Sequence, residues 1–200
     1  MTKLNVVFDL GGVLASESSH LADAAALLNV EPDALRQAYW DGRLAYDSGA
    51  SDLEYWSAVG AAAGVDVDEE MAGRLAAQDS GLWVQLRPEA EQIVADVAAA
   101  GHPVWILTSS PSVMAEAIDA SSWRPYLAGR VVSGLVGSVK PEPEIYRAVE
   151  ELSGSEGSEL AFIDDKQPNL DAAAERGWRT HLWRDDADTR AWLVELGVLA

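Results

Sequence analysis

The sequence predicts an α/β fold, a mostly parallel sheet with helices on its faces and one inserted helical subdomain. Three observations carry this. Short apolar runs alternate with segments of helical periodicity, the pattern of βαβ units. Each run has the length of a parallel strand covered on both faces. One long stretch near the N-terminus breaks the alternation and holds helical patterns only.

The first strand is residues 4–8, an apolar β-branched run that ends on Asp9 and enters Gly11-Gly12. From about residue 16 to 84 come four helical patterns, 19–28, 32–40, 52–63 and 68–78, separated by short turns with Gly, Asp or Asn. A helix over 88–100 opens on Pro88 and closes on Gly101, the usual asymmetry of helix ends. Residues 103–107 are the second strand, and Val131-Val132 add a shorter one. The segment 141–152 sets Ile145, Val149 and Leu152 at helical spacing. Residues 160–163 are a strand, 169–176 an Ala-rich helix stopping on Gly177, 180–183 a strand, and 186–196 a last amphipathic helix. Residues 1–15 and 85–200 therefore read as the core and 16–84 as the insert. There is no internal repeat and no low-complexity linker.

Two hundred residues suffice for one domain or a core with a modest insertion. The apolar fraction of 48% belongs to a globular chain rather than a disordered one. A formal charge of −19 repels nucleic-acid backbones and anionic membranes, so neither is expected as a partner. No apolar run approaches the roughly 20 residues that span a bilayer. The start of the chain, with Lys3 and then a strand-like run, does not read as a secretory signal. Cysteine is absent, which excludes disulfides and thiolate metal sites and fits a cytoplasmic setting. The eight tryptophans are expected in packing. Oligomeric state is not legible.

Four polar clusters follow strands or sit on adjacent loops. They are Asp9, then Thr108-Ser109-Ser110 after the second strand, then Lys140 ahead of a helix, then Asp164-Asp165 with Asn169 beyond. Parallel strands bring such ends to one rim, where ligands bind in open α/β sheets. Each has a bland alternative: Asp9 as a turn cap, Thr108 or Ser109 and Asp164-Asp165 as helix caps, Lys140 as a solvated loop lysine, Asn169 as a turn residue. Together they suit one chemistry. Two carboxylates close together call for a cation between them, and Mg²⁺ takes hard oxygen ligands beside a substrate phosphate. A carboxylate nucleophile, a hydroxyl and a lysine then suit phosphoryl transfer through an aspartyl-phosphate. Gly12 leaves room for the backbone to approach a phosphate.

FDLGGVL, ILTSS, GSVKPEPEIY and FIDDKQPNL, in this order, resemble the four motifs of the haloacid dehalogenase superfamily of hydrolases, in the branch with a helical cap inserted after the first strand. The resemblance covers essentially the whole chain and implies a Rossmann-like three-layer core. It implies Asp9 as nucleophile and Mg²⁺ ligand, the carbonyl of Gly11 as a second ligand, and Asp165 as the acidic ligand of the fourth motif. Asp164 would be a further ligand or a supporting partner. Thr108 and the N–H of Ser109 would hold the phosphoryl group, Lys140 would bridge nucleophile and phosphoryl oxygens, and Asn169 would orient the Asp164-Asp165 loop. The implied activity is Mg²⁺-dependent hydrolysis of a small phosphorylated metabolite, such as a sugar phosphate.

One departure matters. Phosphatases of the family usually carry an acid–base Asp two residues after the nucleophile, and here that position is Gly11. The enzyme would use another group, such as Glu17 or His20, or take substrates with a good leaving group, or keep the fold as a non-catalytic binding protein. The 2-haloacid dehalogenases resemble a different first motif, DxYGT, and need no metal. The first Arg after Asp9 is Arg36, not close enough in sequence to suggest a carboxylate clamp. Substrate choice is expected to rest with the insert, where Tyr39, Trp40, Tyr46, Tyr55 and Trp56 could face the cleft or pack among the helices.

Overall fold

The computed structural model describes residues 3–16 and 20–200. Its five-stranded, all-parallel sheet has the order β3-β2-β1-β4-β5, with β1 Asn5–Phe8, β2 Val104–Thr108, β3 Leu127–Val132, β4 Leu160–Asp164 and β5 Arg179–Leu182. β1 is the middle strand and is wholly buried. The pleat sends its side chains alternately to two faces. Val6 and Phe8 join the cluster that holds Ile93, Val94 and Val97 of helix α6 (Pro88–Ala99) and Ile118 of α7 (Met114–Ala120). Val7 joins the opposite cluster, with Ile145 and Val149 of α9 (Pro143–Ser153) and Leu170 and Ala173 of α10 (Gln167–Glu175). Helix, sheet and helix form three layers.

Among the described residues, five helices lie between β1 and α6: α1 His20–Leu28, α2 Pro32–Asp41, α3 Arg43–Asp47, α4 Asp52–Ala62 and α5 Glu69–Trp83. They enclose a separate apolar cluster around Leu35, Tyr39, Trp56 and Leu75. Local signals start α4 and α5. Ser51 and Glu54 form a reciprocal capping box, and the Asp68 carboxylate accepts from Met71 N–H. The stacked rings of Tyr46 and Tyr55, 4.1 Å apart, join α3 to α4. Two further helices are α8 Ser133–Val136 and α11 Asp186–Glu195.

The differences from the sequence reading have local causes. β3 runs over six residues rather than two, because on this edge strand Ala128, Gly129 and Arg130 are not buried and mask the apolar run. Arg130 instead pairs with Asp119. The fifth strand begins one residue earlier for the same reason, being only partly buried. α9 starts at Pro143 rather than Pro141, since Glu142 keeps extended backbone and serves as N-cap. α3, α7 and α8 are too short to show a period. Among the described residues no helix is long and apolar enough to cross a membrane.

Candidate active site

The chain leaves the sheet centre in two directions, β1 to β2 to β3 on one side and β4 to β5 on the other. The rim beside β1 is thus the switch point at which open α/β sheets bind ligands. Asp9 follows β1 directly, Thr108 ends β2 and Asp164 ends β4, so three adjacent strands deliver them to one place. Lys140 arrives from the loop between α8 and α9.

Lys140 is the hub. Its Nζ lies 2.8 Å from Asp9 Oδ1 and 2.7 Å from Asp164 Oδ2, and donates to the Leu107 carbonyl at 3.1 Å. An ammonium has three donors, and all three are used. The expected bridge from nucleophile to phosphoryl oxygens is therefore, in this structure, a bridge between two buried carboxylates. Burial alone would lower the lysine's pKa, but Asp9 and Asp164 outweigh it and hold it above the ordinary value. The backbone N–H of Lys140 donates to Ser109 Oγ at 3.1 Å, which ties its loop to the end of β2.

The two acids of the fourth cluster differ. Asp164 is fully buried and its oxygens are committed: Asn169 Nδ2 donates at 2.9 and 3.0 Å, Lys166 N–H at 2.8 Å, and Lys140 as above. Asp165 is exposed at the rim. Its carboxylate rests on Gly12, where an added Cβ would stand 2.9 Å from Oδ2, and Gly12 has a φ of +81°. Space and backbone both require glycine there. Oxygens of Asp9, Asp164 and Asp165 lie within 4.8 Å of one another, with Lys140 between the first two and Lys166 acting on the third. Asp9 feels this directly. Burial raises its pKa, Lys140 offsets part of that, and Asp164 raises it again, to about 7.

A pH dependence of stability follows. An acid whose folded pKa lies above its unfolded value binds its proton more tightly in the native state, so native stability falls as pH rises between the two. Without a metal, Asp9→Asn is therefore expected to melt higher than the parent at pH 8, by roughly 2–4 °C for each kcal/mol relieved. The gain should shrink as pH drops through about 7. Lys140 keeps Asp164 and the Leu107 carbonyl as partners in that variant. Calorimetry in EDTA at pH 6 and pH 8 checks this; a variant less stable at both would contradict it.

Above the rim lies a cavity of about 380 Å³. Asp9, Gly11, Gly12, Thr108, Ser109, Lys140, Asp165 and Asn169 line it from the sheet side, so the structure brings together every strand-end and loop candidate from the four polar clusters that was expected to hold metal or phosphate except Asp164, which lies buried beneath them. Trp40, Arg43, Leu44, Asp47 and Trp83 close it from the helical side. Of the five aromatics that could face the cleft, only Trp40 lines it. Tyr39, Tyr46, Tyr55 and Trp56 are buried in the core of the helical block, where their rings pack on one another. Arg43 and Asp47 were not legible, since α3 is five residues long and carries no periodic signal. Trp83 lies beyond the predicted end of its helix. Its ring sits 3.1 Å from where a Cβ of Gly11 would be, so it closes the space a side chain at position 11 would enter. Glu17 and the side chain of His20 lie outside the described residues.

Known proteins resemble this chain in sequence and in fold. The sequence profile of the haloacid dehalogenase-like hydrolases matches residues 5–177. Protein CbbY (plasmid) of Cupriavidus necator is 30% identical over 193 residues, covering 86% of this chain and 74% of its own. Among solved structures, the wild-type HAD family enzyme bt-2542 of Bacteroides thetaiotaomicron, in complex with magnesium and inorganic phosphate, matches with a TM-score of 0.67 at 19% identity, over 91% of this chain and 94% of that one. The L-2-haloacid dehalogenase of Xanthobacter autotrophicus, with chloropropionic acid covalently bound, matches with a TM-score of 0.70 at 20% identity, over 100% of this chain and 85% of that one. At these identities the structures speak for the fold alone. The profile spans most of the chain and the relative of 30% identity most of both, and on those two grounds the chain belongs to the haloacid dehalogenase-like hydrolases.

Proposed function

We propose that the protein is a Mg²⁺-dependent phosphatase of small phosphorylated metabolites, with Asp9 as the nucleophile. The observation that carries this is the Asp9–Lys140–Asp164 triad beside the outward-facing Asp165. The residues fit a hard divalent cation. The donors are carboxylate oxygens, the three carboxylates outnumber the two lysines beside them, Lys140 and Lys166, and Asp165 is exposed towards the cavity. Asp9, Asp165 and the Gly11 carbonyl would hold the ion. Asp164, with its oxygens committed, supports Lys140 instead. Bound Mg²⁺ would neutralise charge on the transferring phosphoryl group.

The chain's own residues supply the rest. Lys140 and the N–H of Leu10, which donates to Asp9 Oδ1 at 2.7 Å, fix one oxygen of Asp9 and leave the other for attack on phosphorus. The positive charge favours the ionised nucleophile. The Thr108 hydroxyl and the backbone of Ser109 stand at the end of β2, on the cavity wall, to donate to phosphoryl oxygens. Helices α1–α5, roughly residues 16–84, act as a cap that covers the site and restricts substrates by size.

The test is a panel of phosphate esters with and without the ion. Activity should vanish in EDTA and return with Mg²⁺. Metal-independent turnover, above all of a 2-haloacid, would sink this reading in favour of a dehalogenase, for which Arg43 on the cavity wall would be the substrate-carboxylate partner. One observation favours a non-catalytic binding protein, namely the closed space at Gly11. Stabilisation by Mg²⁺ with beryllofluoride but no turnover across the panel would select it.

A further inference from the structure

Phosphomonoester hydrolysis through an aspartyl-phosphate needs a proton for the leaving oxygen and, later, a base for water. Gly11 offers neither, and Trp83 fills the space above it. The proton carrier must reach the cavity from another wall. Of the ionisable groups there, Asp9 and Asp165 are occupied with nucleophile and metal, Lys140 has no donor to spare, Lys166 stands beside the Asp165 carboxylate, and a guanidinium such as Arg43 does not deprotonate. Among the described residues, one carboxyl is left on the helical wall.

We propose that Asp47, on the short helix α3 of the cap, is the general acid and base of the reaction. This rests on the phosphatase reading above. Asp47 lines the same cavity as Asp9. Its Oδ1 accepts from Arg43 Nε at 2.9 Å, while Oδ2 receives no hydrogen bond among the described residues. Arg43 is itself braced by Asp79 and the Tyr39 hydroxyl, both at 3.0 Å, so the carboxyl is held from behind. The helix is also docked on the phosphate side. Ser133 Oγ donates to the Asp47 carbonyl at 2.5 Å and accepts from Ser110 N–H at 2.8 Å, and Ser110 is two residues beyond Thr108. Gly49 presses on the same element, with a Cβ there only 3.1 Å from the Gly134 carbonyl.

The surroundings suit a group that must both give and take a proton. Burial raises the pKa of Asp47. Arg43 on its own helix offsets this, Asp79 of α5 raises it further, Lys166 ahead of α10 lowers it, and the outcome is about 6. A catalytic acid–base works best with a pKa near the working pH.

The cycle balances. Asp9 bonds to phosphorus as the P–O bond to the leaving group breaks, and the Asp47 carboxyl gives its proton to that oxygen, which departs as an alcohol. Asp47, now ionised, takes a proton from water as the water oxygen bonds to phosphorus and the bond to Asp9 breaks. Inorganic phosphate leaves, and both side chains return to their starting states.

Asp47→Asn tests this with two substrates in Mg²⁺, 4-nitrophenyl phosphate and glycerol phosphate. Nitrophenolate leaves without a proton, so the variant should release about one equivalent of it in a burst and accumulate a phosphoryl adduct seen by intact-protein mass. Steady turnover should then be slower by about 10²–10⁴-fold. Glycerol phosphate should give neither burst nor adduct. Asp47→Glu, which restores the carboxyl, should regain turnover. Equal slowing of both substrates with no adduct would overturn the proposal in favour of a structural role, and so would unchanged kinetics. If the parent shows no hydrolysis that depends on Asp9, the phosphatase reading has failed first, and this proposal with it.

Discussion

Asp9→Asn is expected to lower phosphatase turnover by about 10⁴-fold or more, the scale on which loss of a nucleophile acts, while leaving the fold intact. The chemistry gives the first half of that expectation. A neutral amide oxygen in place of the carboxylate has neither the charge to attack phosphorus nor the affinity to share in holding a cation. The surroundings give the second half. Asp9 is a buried acid whose ionised form is costly, and its neighbours Lys140 and Asp164 stay paired without it. A variant that loses activity and also loses its melting transition would speak for a structural rather than a chemical role. Steady-state rates and a thermal melt on the same preparation separate the two.

Lys140→Met is expected to remove activity and stability together. The ammonium is 3% exposed and stands between two carboxylates, one of them fully buried. Breaking a buried pair by removing one partner costs about 3–5 kcal/mol, because the charge left behind has no compensation. In a chain of this size that is a fall in melting temperature of roughly 10 °C or more. The sign of the pH dependence is fixed. A lysine whose folded pKa is raised contributes its full stability below the ordinary value of about 10.4 and loses it only as pH climbs beyond. The parent should therefore show no loss from this group between pH 6 and 9. The variant should lose stability over that range, as Asp9 ionises without a cation beside it. Equal stability of parent and variant at pH 8 would contradict the hub role of Lys140.

What the sequence disclosed follows from where each residue sits. The central strands are covered on both faces and announce themselves as apolar runs, so β1, β2 and β4 were found to within a residue. Their ends carry the polar clusters, which is why Asp9, Thr108 and Asp165 could be placed at one rim before any coordinates. The division of labour between Asp164 and Asp165 was not legible. Adjacent residues at a strand end point to opposite sides, and only the partners of Asp164, from the Lys140 loop, the backbone of Lys166 and α10, show which one is buried. The helical wall was the least legible part. Four of its aromatics, Tyr39, Tyr46, Tyr55 and Trp56, face their own core with Leu35 and Leu75, and the residues that do reach the cavity come from a five-residue helix and, as Trp40 and Trp83, from the ends of α2 and α5. Position 11 shows the same limit. The sequence shows a missing side chain, and the structure shows the Trp83 ring that takes its space.

The nucleophile can be tested in one measurement. The enzyme is mixed with Mg²⁺ and 4-nitrophenyl phosphate, quenched during turnover, reduced with borohydride and mapped by peptide mass spectrometry. Borohydride converts an aspartyl-phosphate to homoserine. The expected result is homoserine at position 9 and nowhere else, absent without substrate. Continued turnover with Asp9 unmodified, or a reduced acyl-phosphate at any other carboxylate, would contradict Asp9 as the nucleophile.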